Sequence, residues 1–214
     1  MTDRIRRAVN ENRGPDPITD PVDEVPVINI ANALTVFRIL LVPVFVVVLF
    51  IGDGHEVGWR IAAAVIFGVA ALTDRYDGRL ARERGLITDF GKLADPIADK
   101  ALIGAALIGL SILGDLPWWV TVLILARELG VTLLRFWVLR HGVIPASRGG
   151  KLKTLLQAIA IGLYLLIPAS SGWHVVAVVV MALAVIATVV TGLEYVWQAI
   201  ALRARSRHAD DSTA

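Results

Sequence analysis

Six long apolar segments, separated by short polar connections, dominate the chain. Each is close to the ~20 residues that a helix needs to cross the hydrocarbon of a bilayer, so each predicts a transmembrane helix. The segments cover residues 30–50, 57–77, 95–113, 117–139, 152–169 and 173–199. This pattern predicts an all-α integral membrane protein with six transmembrane helices.

Basic residues are distributed unevenly over the connections. The first, third and fifth connections contain no lysine, and the only arginine near them is Arg60. Most of the other lysines and arginines lie in the second and fourth connections and in the two tails. Positive residues favour the cytoplasmic side of a membrane. We therefore expect a multi-pass protein of the cell membrane with both termini in the cytoplasm.

The overall composition agrees with a membrane protein and excludes some kinds of site. The chain is 56% hydrophobic, its net charge of +2 gives no argument for nucleic-acid binding, and it has no cysteine for a disulfide or a thiolate ligand. Residues 1–26 are polar and rich in proline, which predicts a disordered cytoplasmic tail. Residues 27–202 form the predicted six-helix transmembrane domain, and residues 203–214 form a second short polar tail.

Four aspartates stand where the second and third apolar segments meet the cytoplasmic side. Asp74 and Asp77 are three residues apart, and Asp95 and Asp99 are four apart, so each pair shares one face of a helix. Pro96 is compatible with the second helix if it lies in the first turn. Two faces with paired carboxylates suit hard divalent cations such as Mg²⁺ or Mn²⁺.

Two other interpretations of these acids remain open on spacing alone. One is a solvated charge run that offsets nearby arginines, although this gives no reason for the helical register of both pairs. The other is a row of acids along the path of a divalent-cation transporter. A transporter predicts acids at the middle of the membrane, whereas these acids lie at the cytoplasmic ends of the segments.

The acids form part of a longer pattern, Asp-x2-Asp-Gly-x2-Ala-Arg-x8-Gly-x3-Asp-x3-Asp. Its eight fixed positions fall within 26 residues and are occupied by Asp74, Asp77, Gly78, Ala81, Arg82, Gly91, Asp95 and Asp99. The pattern resembles the signature of the CDP-alcohol phosphotransferases. The resemblance extends to NIANALTVFRILLVPVF in the first segment, DPIADKALI after the pattern, AREL in the fourth segment and GGKLKTLLQ at the start of the fifth.

The resemblance implies a fold and a reaction. The fold would be six transmembrane helices, usually as a homodimer, with a metal site in a cavity that faces the cytoplasm. The flanking segments are most similar to members that transfer a phosphatidyl group from CDP-diacylglycerol to sn-glycerol 3-phosphate and release CMP. Related members use inositol phosphate, serine or, in cardiolipin synthesis, phosphatidylglycerol as the acceptor.

The resemblance also implies roles for individual residues. Asp74 and Asp95 would bind both of two metal ions, Asp77 would complete one metal site, and Asp99 would complete the other and act as the base for the acceptor hydroxyl. The expected contacts to the CDP-diacylglycerol nucleotide come from Gly78, Ala81, Arg82 and Thr88, with Asn32 and Thr35 at the border of the same pocket.

A phosphorylated acceptor also needs cations. The candidates are Arg127, Arg135, Lys151 and Lys153. Arg127 and Arg135 stand eight residues apart in a predicted span, which places them near one helix face. Each has an ordinary alternative: Arg127 can pair with Glu128, Arg135 can extend to the membrane interface, and the two lysines can simply follow the positive-inside bias.

Overall fold

Six α-helices and one short 3₁₀ helix, with no strand, make up the described residues of the computed structural model, which are 30–83, 89–138 and 148–211. The helices are α1 Ile30–Phe50, α2 Val57–Glu83, α3 Asp89–Ile112, α4 Trp118–Val138, α5 Arg148–Leu166 and α6 His174–Asp211. The 3₁₀ helix Ile51–Gly54 joins α1 to α2. The predicted all-α class is therefore confirmed. The predicted disordered tail, residues 1–26, lies outside the described residues.

The helices begin close to the predicted segments and extend further on the side of the aspartates. Helix α1 has the predicted bounds, whereas α2 continues to Glu83 and α6 to Asp211. Helix α3 begins at Asp89, six residues before the predicted segment. The apolar pattern predicted the apolar part of each helix. It did not predict the helix ends, because polar residues continue these helices beyond the apolar part.

The early start of α3 corrects the expectation for Pro96. This residue is the eighth of the helix and not in its first turn. Proline has no N–H, so the helix loses the hydrogen bond that residue 96 would donate to the carbonyl of Lys92. The helix therefore carries an interior backbone interruption between Gly91 and Asp99.

Small residues permit close contact between the helices that carry the motif and α1. Helix α1 packs against both α2 and α3. A Cβ atom added to Gly109 of α3 would lie 2.6 Å from Leu49 Cδ2 of α1, a distance that real Cβ atoms do not show. A larger residue at position 109 would therefore require the Leu49 side chain to move. All six helices contribute to the apolar core around Phe45, Leu107 and Ile161.

Two helices in the described part of the chain are long and apolar enough to cross a membrane, over Asn32–Gly54 and His174–Gln198. Three shorter apolar stretches, Val57–Thr73, Lys100–Ile112 and Leu152–Leu166, lie within α2, α3 and α5.

Arg60 links two connections and the end of one helix, at the end of the bundle opposite the aspartates. Its Nη1 donates to Asp115 Oδ2 at 2.5 Å and to the Gly54 carbonyl at 3.1 Å. Its Nη2 donates to the Tyr164 carbonyl at 2.7 Å, and its Nε to the Leu165 carbonyl at 3.2 Å. One buried guanidinium therefore bonds to the α1–α2 connection, the α3–α4 connection and the end of α5.

We expect Asp115→Ala to destabilise the bundle strongly, because it leaves Arg60 buried without its only carboxylate partner among the described residues. Removal of one partner from a buried ion pair costs about 3–5 kcal/mol. The measurement is the thermal unfolding midpoint of the protein in detergent. Glu56→Ala, which removes an exposed acid at the same end, is the control and should change the midpoint little. Equal midpoints for the two variants would contradict the role given to Arg60.

Candidate functional site

The motif residues occupy the adjoining ends of two consecutive helices. Asp74, Asp77, Gly78, Ala81 and Arg82 lie in the second half of α2, with the two aspartates in the helical register that the sequence predicts. Their side chains lie outside the described part of the structure.

The second half of the motif lies in α3. Gly91, Asp95 and Asp99 stand four residues apart in this helix, as predicted. Their side chains, too, are beyond the described part, and Thr88 lies outside the described residues altogether. Among the side chains that are described, no group of three or more histidines, aspartates or glutamates can hold a metal ion.

Helix α1 presents a row of buried polar residues. Asn32, Thr35 and Arg38 are three residues apart, and their exposed fractions are 5%, 2% and 0%. Helix α1 packs against α2 and α3, the two helices of the motif. Buried polar side chains in an apolar helix need polar partners, so this row indicates a polar interior beside the motif helices.

A second polar cluster, which we call the cationic cluster, lies around Glu128 of α4. The Glu128 carboxylate accepts hydrogen bonds from Lys153 Nζ of α5 and, at 3.3 Å, from Arg127 Nη1. Lys153 is only 3% exposed. The structure thus brings together Arg127 and Lys153, two of the four cations predicted from the sequence, with one shared carboxylate.

Lys100 connects the motif helix to this cluster. It immediately follows Asp99 in α3, and its Nζ donates to Thr132 Oγ1 and, at 3.5 Å, to the Glu128 carbonyl of α4. Thr132 in turn donates to the Glu128 carbonyl at 2.7 Å. The backbone position of Asp99 is therefore tied to the helix that carries Arg127.

Three cations meet in the cationic cluster. Arg127 and Lys153 bond to the Glu128 carboxylate, and Lys100 donates to the Glu128 carbonyl and to Thr132 Oγ1. Guanidinium and ammonium groups are the donors that match a phosphate.

The ordinary alternative for Arg127, a pairing with Glu128, is present in the structure, but it uses only one of five guanidinium N–H groups. Arg135 of α4 and Lys151 of α5 lie in helices as predicted, and their side chains lie outside the described part. The structure therefore places two acceptor candidates in one cluster and does not place the other two.

Sequence reasoning missed several members of the polar interior. Gln157 Nε2 of α5 donates to Thr188 Oγ1 of α6 at 3.0 Å, and Thr191 of α6 accepts from Arg127. Thr188, Thr191 and Tyr195 are spaced by three and four residues along α6. This spacing marks one helix face and was a usable signal for a polar contact between helices.

Comparison with known proteins gives one family and several relatives. The family model described as CDP-alcohol phosphatidyltransferase matches residues 28–190. A probable phosphatidylglycerophosphate synthase of Mycobacterium tuberculosis is 62% identical over 172 residues, which cover 80% of this chain and 82% of that protein. The CDP-diacylglycerol–glycerol-3-phosphate 3-phosphatidyltransferase of Bacillus subtilis is 37% identical over 187 residues, covering 80% of this chain and 97% of that protein.

We expect Glu128→Ala to lower the thermal unfolding midpoint, because it leaves the buried cations without their shared carboxylate. The cost expected for a broken buried pair is about 3 kcal/mol. Adding Lys153→Met to this variant should recover part of the loss, because methionine replaces a buried ammonium with an apolar chain of similar length. Glu194→Ala removes an exposed acid of α6 and serves as the control. A double variant less stable than Glu128→Ala would contradict the ion-pair interpretation.

Proposed function

The chain belongs to the CDP-alcohol phosphatidyltransferase family, and on that premise we propose that it transfers the phosphatidyl group of CDP-diacylglycerol to sn-glycerol 3-phosphate. The products are phosphatidylglycerophosphate and CMP. The observation that carries the choice of acceptor is the cationic cluster, in which Lys100, Arg127 and Lys153 converge on Glu128, because such cations suit an acceptor that has its own phosphate. The names of the Mycobacterium tuberculosis and Bacillus subtilis relatives agree with this acceptor.

We propose that all six helices cross the cell membrane, with both tails and the motif on the cytoplasmic side. Two helices satisfy the length and apolarity of a span by themselves, and three more have shorter apolar stretches. The apolar sequence of α4 is interrupted by Arg127 and Glu128. Arg127 contacts α6 and Glu128 contacts α5 inside the bundle. Charged residues of this kind are expected to face the interior of a membrane bundle. The homodimer implied by the family stays a prediction.

The family generally uses divalent metal ions, and the motif offers a suitable donor set. We propose two ions, Mg²⁺ or Mn²⁺, with Asp74 and Asp95 bound to both, Asp77 to one and Asp99 to the other. Carboxylates at i, i+3 and i, i+4 positions of two consecutive helices supply the oxygen ligands that these ions prefer. When bound, the ions would neutralise charge on the attacking and leaving oxygens of a phosphoryl transfer.

The remaining chemistry belongs to the side chains. We propose that the Asp99 carboxylate accepts the proton of the acceptor hydroxyl as that oxygen bonds to the lipid-bearing phosphorus of CDP-diacylglycerol. The bond from this phosphorus to the oxygen of CMP breaks, and CMP leaves. Gly78, Ala81, Arg82 and Thr88 would hold the nucleotide.

The polar row of α1 is the proposed border of the nucleotide pocket. Asn32 and Thr35 are buried on a helix that packs against both motif helices, which supports this placement. Arg127, Arg135, Lys151 and Lys153 would bind the acceptor phosphate. An inositol phosphate would also suit these cations, but none of the relatives described above is named for that acceptor.

The experiment that tests the proposed function measures CMP release by the purified protein with CDP-diacylglycerol. We expect release that requires sn-glycerol 3-phosphate and a divalent cation, and that stops when the cation is removed with a chelator and returns when Mg²⁺ or Mn²⁺ is added. Inositol phosphate, serine and phosphatidylglycerol are offered separately as acceptors. Release with one of these instead of glycerol 3-phosphate would overturn the acceptor while keeping the family chemistry.

Asp99→Asn should abolish transfer while the protein remains folded, because the amide is neither an anionic metal ligand nor a base. A loss of about 10²-fold or more is expected for a missing general base. CMP release is measured beside the elution volume in detergent, which reports folding. Asp115→Asn, at the opposite end of the bundle, is the matched aspartate control and should retain transfer in whatever fraction stays folded. Near-normal turnover of Asp99→Asn would remove Asp99 from the base role.

A further inference from the structure

Arg127 is held by three residues of α6 that share one helix face. Its Nη2 donates to Thr191 Oγ1 at 2.9 Å, and its guanidinium carbon lies 5.8 Å from the centroid of the Tyr195 ring. A Cβ atom added to Gly192 would lie 3.2 Å from Arg127 Cγ and 3.7 Å from Nε. We call Thr191, Gly192 and Tyr195 the arginine seat.

The hydroxyl of Thr191 is oriented to accept the hydrogen bond from Arg127. It donates its own proton to the Ala187 carbonyl one turn earlier, at 2.7 Å. A hydroxyl has one proton and two acceptor lone pairs. Because the proton is donated to Ala187, only the lone pairs can bond to the guanidinium. Thr191 is 4% exposed, which keeps the contact away from solvent.

Gly192 and Tyr195 fix the rest of the side chain. The absence of a Cβ at residue 192 lets the stem of Arg127 lie close against the helix. The Tyr195 ring attracts the guanidinium electrostatically, and such contacts are stronger when they are shielded from water. Tyr195 is 6% exposed. Three different contacts, a hydrogen bond, a steric fit and a cation–π contact, therefore converge on one arginine.

The seat leaves part of the guanidinium available to a ligand. Nη1 has one described bond, to Glu128, and Nη2 has one, to Thr191, so one N–H of each remains. These N–H groups are charged donors, and guanidinium donors form strong hydrogen bonds with phosphate oxygens. The buried Nε has no hydrogen-bond partner among the described residues. A buried donor of this kind calls for a partner such as a water molecule or a bound ligand.

We propose that Thr191, Gly192 and Tyr195 are positioning residues that orient Arg127 for the phosphate of the acceptor. This inference rests on the proposed function, in which Arg127 binds that phosphate. The seat lies just beyond residues 28–190, the part of the chain that the family model matches, and none of its residues belongs to the aspartate motif. The affinity for the acceptor would thus depend on a helix that carries none of the motif residues.

The test compares isosteric and conservative variants in the CMP-release assay. Thr191→Val removes only the hydroxyl and should raise the KM for sn-glycerol 3-phosphate about tenfold, as expected for a lost hydrogen bond to a charged group. The KM for CDP-diacylglycerol should change little. Thr191→Ser keeps the hydroxyl and should restore most of the acceptor affinity. Tyr195→Leu should raise the same KM about fivefold, and Tyr195→Phe, which keeps the ring, much less.

Two controls separate positioning from general destabilisation. Thr121→Val removes another buried hydroxyl, which bonds to Ser111 and not to any residue of the arginine seat. This variant should leave the acceptor KM unchanged. Thr191→Val is also made in the Arg127→Ala background. If the seat acts through Arg127, the second substitution adds little to the first, because their effects are not additive. Additive effects would overturn the inference. Should Thr191→Val fail to fold, Gly192→Ala and the Tyr195 pair supply the same comparison.

The outcomes distinguish this inference from the proposed function. If Arg127→Ala raises the acceptor KM and the seat variants do not, the seat is overturned and the phosphate role of Arg127 stands. If Arg127→Ala leaves the acceptor KM unchanged, the phosphate role fails and the inference fails with it. If the wild-type protein releases no CMP with glycerol 3-phosphate, the proposed function itself is wrong.

Discussion

The bundle depends on the buried guanidinium of Arg60. Each of its three nitrogens is hydrogen-bonded. The acceptors are the Gly54 carbonyl after α1, the Asp115 carboxylate between α3 and α4, and the Tyr164 and Leu165 carbonyls at the end of α5. A charge in an apolar bundle is stable only when its hydrogen-bond donors are satisfied. These bonds therefore hold the ends of the helices at fixed positions relative to one another. The positions of the polar groups at the other end follow from that alignment.

The other end concentrates two kinds of polar chemistry on the same helix. Asp99 ends the motif and Lys100 begins the cationic cluster, and consecutive residues of an α-helix point about 100° apart because a turn holds about 3.6 residues. The part of α3 that follows Pro96 therefore serves both the motif and the cationic cluster, and Lys100 bonds directly to α4. Consecutive residues of one helix keep a fixed separation, which suits a reaction between two phosphate-bearing substrates.

Periodicity and motif spacing predicted the helices and the register of the aspartates, because both depend on local geometry. They misplaced Pro96, since an apolar pattern cannot show that polar residues from Asp89 onward continue the helix. They located Arg127 and Lys153, and they offered the pairing of Arg127 with Glu128, but they did not predict the contacts of Lys100 or the bond from Lys153 to Glu128. Those contacts join residues 25 to 32 positions apart, and they depend on which helices pack together. A single sequence does not contain that information in its periodicity.

The position of the arginine seat on α6 has a consequence for the order in which the protein is made. A growing chain contains the complete aspartate motif once residue 99 has been synthesised, but it lacks Thr191, Gly192 and Tyr195 until its last helix has been added. The motif would therefore be present in the membrane before Arg127 is oriented. If the proposed roles hold, a nascent or truncated chain would carry the aspartate motif without an oriented Arg127, and transfer would require the last helix.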